Sequence, residues 1–207
     1  MTSFLHQWIG LADRIATWAV RIAGAMMLAA AILVSFDVLL RKFASVTVGG
    51  ADELSGYAFA VGTSWALAFT LLRRANVRVD ALYARLPERL AAALDLLALL
   101  SLLVFVGYLT WRASLVLQDS LLFSARATTP LATPLWIPQT LWLAGFGLFL
   151  FTILPLIAAV AFALARGDRA TVRRLAGART LEEEAAEEKS HTAGLQPAGL
   201  QTLGGER

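Results

Sequence analysis

The chain has 207 residues, of which 58% are hydrophobic and 16% charged, and a mean hydropathy of +0.66. That is more apolar than a water-soluble domain of this length and marks an integral membrane protein. The absence of cysteine excludes disulfides, thiolate nucleophiles, iron–sulfur clusters and cysteine–zinc sites, while the net charge of +3 sits on arginines flanking apolar runs, so anionic lipid headgroups, not nucleic acid, are the expected counter-charge.

Residues 1–14 read as a polar, weakly amphipathic, cytoplasmic N-terminus. The first span runs from about Ile15 to Leu40, with Trp18 at its start, Arg21 able to snorkel, and Arg41-Lys42 at its end. The apolar stretch is longer than a signal-peptide core and has no convincing cleavage site, so an uncleaved helix is expected. The second span, Leu54 to Leu72, is fenced by Asp52-Glu53 on one side and Arg73-Arg74 on the other. Next, Val79, Leu82, Tyr83 and Leu86 recur at i, i+3, i+4, i+7 while Arg78, Asp80 and Arg85 fall off that stripe. This spacing predicts a short amphipathic helix lying in the membrane interface.

Pro87 and Glu88 suit the first turn of a new helix, since proline's missing N–H costs nothing there and a carboxylate complements the dipole. The third span is accordingly placed at about Leu90 to Trp111, with Asp95 near its start and Trp111-Arg112 near its end. The segment from Ala127 to Pro138 is too proline-rich for helix before Pro138 and reads as an extended loop at the outer surface. The last apolar run, Leu135 to Ala165, would be ~45 Å long as straight helix and must tilt, kink at Pro155 or project beyond the bilayer. From 166 to 207 the chain is first basic and then acidic, notably over Leu181 to Lys189, and is expected to be a mostly disordered tail. The expected fold is thus all-α, with four transmembrane helices over residues 15–165 and no internal repeat.

Arginine counts set the orientation. Arg73, Arg74, Arg78, Arg85 and Arg89 lie between spans two and three, and Arg166, Arg169, Arg173, Arg174 and Arg179 follow span four. The opposite connections hold only Arg41 and Lys42, and Arg112 and Arg126. Positive residues stay inside, so both termini are expected in the cytoplasm.

Ionisable residues inside a span are functional candidates by default. Asp37 precedes Arg41 by one turn, and an ion pair at a span end is a better reading than an ion-coupling site because charge is cheap there. Asp95 has no cation four residues away, so its expected partner is another helix or another subunit. Neither is accompanied by the second carboxylate, hydroxyl cluster or broken helix of a self-sufficient ion pathway. The only histidines, His6 and His191, flank the spans, leaving no intramembrane pair for haem. No nucleophile elbow, phosphate-binding glycine loop or metal-spaced histidine set occurs, so no enzyme activity, cofactor or metal is expected. Trp8, Trp18, Trp111, Trp136 and Trp142 fit interfacial anchoring, whereas Trp65 falls inside span two with Gly56 and Gly62 and could face either protein or lipid.

Several short stretches together resemble a known family. Leu39-Leu40-Arg41-Lys42-Phe43 closes span one and Ala51-Asp52-Glu53-Leu54 opens span two. Arg73-Arg74 is followed by Val77-Arg78-Val79-Asp80, Arg85-Leu86-Pro87 precedes span three, and Pro134-Leu135-Trp136-Ile137-Pro138 precedes span four. This order is similar to that of the DctQ-like small membrane subunit of tripartite ATP-independent periplasmic (TRAP) transporters, over about residues 15 to 165. The chain departs from it at Gly49-Gly50, where a tryptophan is common, and at Asn76, where a histidine is common.

The resemblance implies a complex with a large multi-span permease subunit and a periplasmic solute-binding protein in the bacterial inner membrane, importing organic acids or similar solutes on a sodium gradient. It further implies that the substrate and sodium sites lie in the large subunit, the small one acting as scaffold for an elevator-type carrier. On that reading Asp37, Arg41, Asp52, Glu53, Arg73, Arg78, Asp80 and Asp95 are candidates for structural or subunit-interface roles. A haem-free membrane anchor of a respiratory or other enzyme complex is the alternative from a different class.

Overall fold

The computed structural model describes residues 2–75 and 87–177. The predicted interfacial helix, with Arg78 and Asp80, and the acidic tail lie outside the described residues. Four helices are long and apolar enough to cross a membrane: α1 (Thr2–Ala44), α2 (Ala51–Leu72), α3 (Glu88–Leu122) and α4 (Trp136–Ala165). A short fifth, α5 (Arg169–Ala176), follows.

Two helices outrun their predicted spans. α1 starts at Thr2 instead of near Ile15, and α3 continues to Leu122 instead of stopping near Trp111. Hydropathy detects what hydrocarbon tolerates, whereas a helix ends where its backbone turns. Here Ser45, Arg74, Ser124 and Gly167, at the ends of α1 to α4, all have positive φ. After α2 the amides of Ala75 and Arg74 return to the carbonyls of Thr70 and Leu71, and paired bonds of the same kind close α3 and α4. These are left-handed caps that satisfy the last carbonyls. Pro138 lies in the first turn of α4, and helix continues through Pro155.

α4 is the centre of the bundle and packs on α1, α2, α3 and α5. Its buried residues Phe146, Phe149, Ile153, Leu156, Val160 and Ala163 alternate in steps of three and four. From α3, Ala92, Leu99, Val106 and Ala113 face the core at a strict seven-residue interval. Both are seam patterns of left-handed helix packing. α1 packs through small residues: Ala12, Ala16, Ala19 and Ala23 are buried, allowing close backbone approach where lipid supplies no hydrophobic drive. α5, absent from the sequence expectation, starts after Asp168, whose carboxylate accepts the Thr171 amide at 3.1 Å and hydroxyl at 2.6 Å. Its Val172 and Ala176 are buried against the core formed with α3 and α4.

Candidate functional site

At the end of the bundle carrying the 45–50 and 123–135 loops, two buried carboxylates hold those loops down. Asp37 is 3% exposed, and its Oδ2 lies 2.5 Å from Arg41 Nη2, one turn along α1. Its Oδ1 accepts the Thr47 hydroxyl at 2.8 Å and the Val48 backbone N–H at 2.7 Å. The predicted ion pair is therefore present, and the same carboxylate also folds the following loop back onto its helix. Charge-assisted bonds are the strong kind. Arg41 itself keeps 60% of its side chain exposed, against 4% for Asp37.

Glu53 stands in the first turn of α2, where the helix dipole favours an anion. It is only 9% exposed. The Tyr57 hydroxyl donates to its Oε1 at 2.8 Å and the Thr129 hydroxyl donates to its Oε2. Thr133 turns its hydroxyl and backbone N–H toward the same group. Thr129 and Thr133 belong to the loop that joins α3 to α4, so Glu53 ties two distant parts of the chain. That loop is itself folded as a narrow turn: the Ala127 amide donates to the Thr133 carbonyl at 3.0 Å, and the Ala132 amide to the Thr129 carbonyl at 2.9 Å. Leu131 covers Gly50, whose φ is +93° and where an added Cβ would come 2.5 Å from Leu131 Cγ. It is the left-handed backbone, which L side chains rarely adopt, that favours glycine here. The neighbouring Asp52 is exposed.

In mid-bundle α2 crosses α4 closely. A Cβ on Gly145 would lie 2.7 Å from the backbone carbonyl carbon of Ser64. The Trp65 Nε1–H donates to the Leu141 carbonyl at 2.8 Å, so this tryptophan faces protein. Gly62 abuts Ala23 and Met27 of α1, while Gly56 has open space around it. Two of the predicted anchors also pack inside: Trp8 on Phe151 of α4, with ring centroids 5.3 Å apart, and Trp142 on Phe146, 4.9 Å apart.

At the opposite end, Arg73 Nη2 lies 3.2 Å from Asp13 Oδ1 and the guanidinium stacks over Phe69 at 5.0 Å, tying α2 to α1. Asp95 is 2% exposed and has an interaction partner. It lies between Ala92 and Leu99 of the α3 seam. Two further buried hydroxyls turn to their own helices, Ser64 to the Val61 carbonyl at 2.9 Å and Thr152 to the Leu148 carbonyl at 2.8 Å. Among the described residues, no three acidic or histidine side chains gather as metal ligands do. What these polar groups accomplish is fastening: helix to loop, and helix to helix.

Residues 30–163 match the family described as Tripartite ATP-independent periplasmic transporters, DctQ component. The chain belongs to this family. As a DctQ-family protein it is a small subunit of a TRAP transporter and a multi-pass membrane protein, and its family is a transporter component and not an enzyme family. Membership implies association with a large permease subunit and a periplasmic binding protein. No match was found among curated proteins or among solved structures. The matched stretch of this DctQ-family chain contains both carboxylate anchors and the α2–α4 crossing, but neither the first 29 residues nor α5.

Sequence reasoning identified Asp37 with Arg41, and Glu53 as a position, but not Glu53's partners. Thr129 and Thr133 lie 76 and 80 residues further on, and no local spacing links them. Gly145 was likewise missed, since one glycine in an apolar run carries no signal until its neighbour across the helix pair is known.

Proposed function

We propose that this chain is the non-carrying scaffold of a sodium-coupled TRAP importer, set in the bacterial inner membrane with both termini in the cytoplasm. It supports the large permease subunit, which carries organic acids or related small solutes delivered by the periplasmic binding protein. The observation that supports this reading is the use made of buried polarity. Asp37 and Glu53 spend their hydrogen-bonding capacity inside the chain, each on one residue of its own helix and on a neighbouring loop, giving a stiffened end of the bundle. A scaffold beside a moving carrier needs that stiffness, because any yielding of the stationary part dissipates the carrier's movement.

The arginine asymmetry supports the orientation, which puts the Asp37 and Glu53 anchors at the periplasmic face. Residues 1–14 and 166–207 are then cytoplasmic. The junction residues Arg78 and Asp80, outside the described residues, are proposed to face the large subunit at the cytoplasmic surface, with Arg73 holding the preceding helix to α1. The enzyme-anchor alternative has no comparable support.

Proteoliposomes test the division of labour. With the chain alone, a sodium gradient is expected to drive no uptake of a panel of labelled carboxylates, and uptake is expected once the large subunit and binding protein are added. Robust uptake by the chain alone would overturn the scaffold reading.

A further inference from the structure

The face of α1 turned away from the bundle carries two arginines at membrane depth. Ala12, Ala16, Ala19 and Ala23 pack inward. Two residues on from each, which on a helix is the opposite side, come Arg14, Trp18, Arg21 and Ala25, all exposed. Trp18 is 63% exposed, and the Arg21 guanidinium stands over its ring, 5.5 Å from the centroid.

The depth of these residues follows from helix packing and not from the direction of insertion. α2 has 22 residues, ~33 Å of helix, which matches a hydrocarbon core of ~30 Å. Its middle falls near Gly62, which abuts Ala23 and Met27 of α1. Counting from the point between those two residues, the Arg21 backbone lies ~6 Å from the bilayer centre and the Arg14 backbone ~16 Å from it, where the hydrocarbon ends at ~15 Å. An arginine as deep as Arg21 on an outward face is costly unless its head is drawn toward the interface. Helical side chains lean toward the N-terminus, which here sets the Arg21 head over Trp18, on the side of Arg14.

We infer that Arg14, Trp18 and Arg21 form a binding site for one anionic phospholipid in the leaflet nearest the N-terminus of α1. The two guanidinium groups take the headgroup phosphate and its added negative charge. Trp18, its backbone ~10 Å from the centre by the same count, leans with its ring toward the interface, and the acyl chains run along Ile22, Ala25 and Leu28, all exposed. Charge complementarity selects this occupant. The nearest carboxylate in sequence, Asp13, is engaged by Arg73, and lipid phosphate is the anion present at that depth. A carboxylate from a partner protein would have to be desolvated to reach it. The site lies in the first 29 residues, outside the stretch matched by the family.

The test is native mass spectrometry of the full chain in dodecyl maltoside with equimolar phosphatidylglycerol and phosphatidylcholine. Wild type is compared with the double variant Arg14→Gln/Arg21→Gln, the charge-keeping Arg14→Lys/Arg21→Lys, and Arg112→Gln, which removes another tryptophan-stacked arginine. Wild type, the lysine variant and Arg112→Gln are expected to retain phosphatidylglycerol preferentially. The glutamine variant is expected to lose that preference by roughly 25-fold, about fivefold per arginine at an anionic surface. An absence of preference in wild type, or an unchanged preference in the glutamine variant, would overturn the site. So would a glutamine variant that keeps the lipid but no longer recovers a co-expressed large subunit, since the face would then be a protein interface.

Discussion

Adding one methyl group at Gly145 tests the α2–α4 crossing. In Gly145→Ala the new Cβ meets the Ser64 carbonyl carbon and Cβ at 2.7 Å, whereas ordinary contact begins at 3.4 Å. The obstacle is main chain, so no rotamer change relieves it and the two helices must separate. Overpacking of this kind costs ~1–3 kcal/mol. The same movement stretches the Trp65 to Leu141 hydrogen bond, now 2.8 Å, and interhelical hydrogen bonds in membranes contribute ~0.6–1.7 kcal/mol. A total loss of about 2–5 kcal/mol is expected. Titration with sodium dodecyl sulfate in mixed micelles, followed by circular dichroism, measures it. Gly147→Ala is the control on the same helix, because nothing lies within 4 Å of its Cβ position, and it should stay within ~0.5 kcal/mol of wild type. Ser64→Gly added to Gly145→Ala should restore only part of the loss, since the carbonyl carbon remains. If Gly145→Ala and Gly147→Ala unfold together, close crossing at this point does not hold the bundle.

Three further outcomes follow from the anchors and the junction. Glu53→Ala leaves the Tyr57 and Thr129 hydroxyls without their acceptor, and hydrogen exchange at the Ala127 and Ala132 amides should rise on the order of tenfold; unchanged exchange would mean that the loop holds itself. Asp37→Ala should speed exchange at Val48, which loses its acceptor outright, whereas Arg41→Ala should alter it little because Arg41 is mostly exposed. Equal effects of the two would assign the loop's order to the ion pair instead of the carboxylate. Arg78→Ala and, separately, Asp80→Ala should lower recovery of the large subunit with a tagged small one while leaving membrane insertion intact; unchanged recovery in both would reduce the junction to a topology signal.

The spans were legible because bilayer thickness is a strong filter. The fenced run Leu54 to Leu72 sits within α2, and Leu135 to Ala165 differs from α4 by one residue. What hydropathy missed was helix beyond the hydrocarbon. Residues 2–14 and 112–122 are polar enough to leave the apolar window and still extend α1 and α3 to the point where a backbone turn stops them. α5 was missed for a related reason: an eight-residue helix rich in arginine is invisible to hydropathy, although Asp168 with Thr171 forms a readable cap. Of the site, Asp37 with Arg41 was local and therefore visible at one-turn spacing. Glu53 with Thr129, and Ser64 with Gly145, join residues far apart in sequence, and such pairs exist only once the helices have been placed side by side. Trp65 was ambiguous because an indole in a span suits lipid or protein equally until its N–H finds an acceptor.

The central claim, that this chain is the small scaffold of a TRAP importer, is tested most directly by its company. The tagged full chain, extracted from its native membrane in mild detergent and analysed by mass spectrometry, should bring with it one much larger multi-span permease chain in constant proportion. Recovery instead with a flavin or iron–sulfur subunit, or recovery alone under conditions that keep the chain folded, would contradict the account.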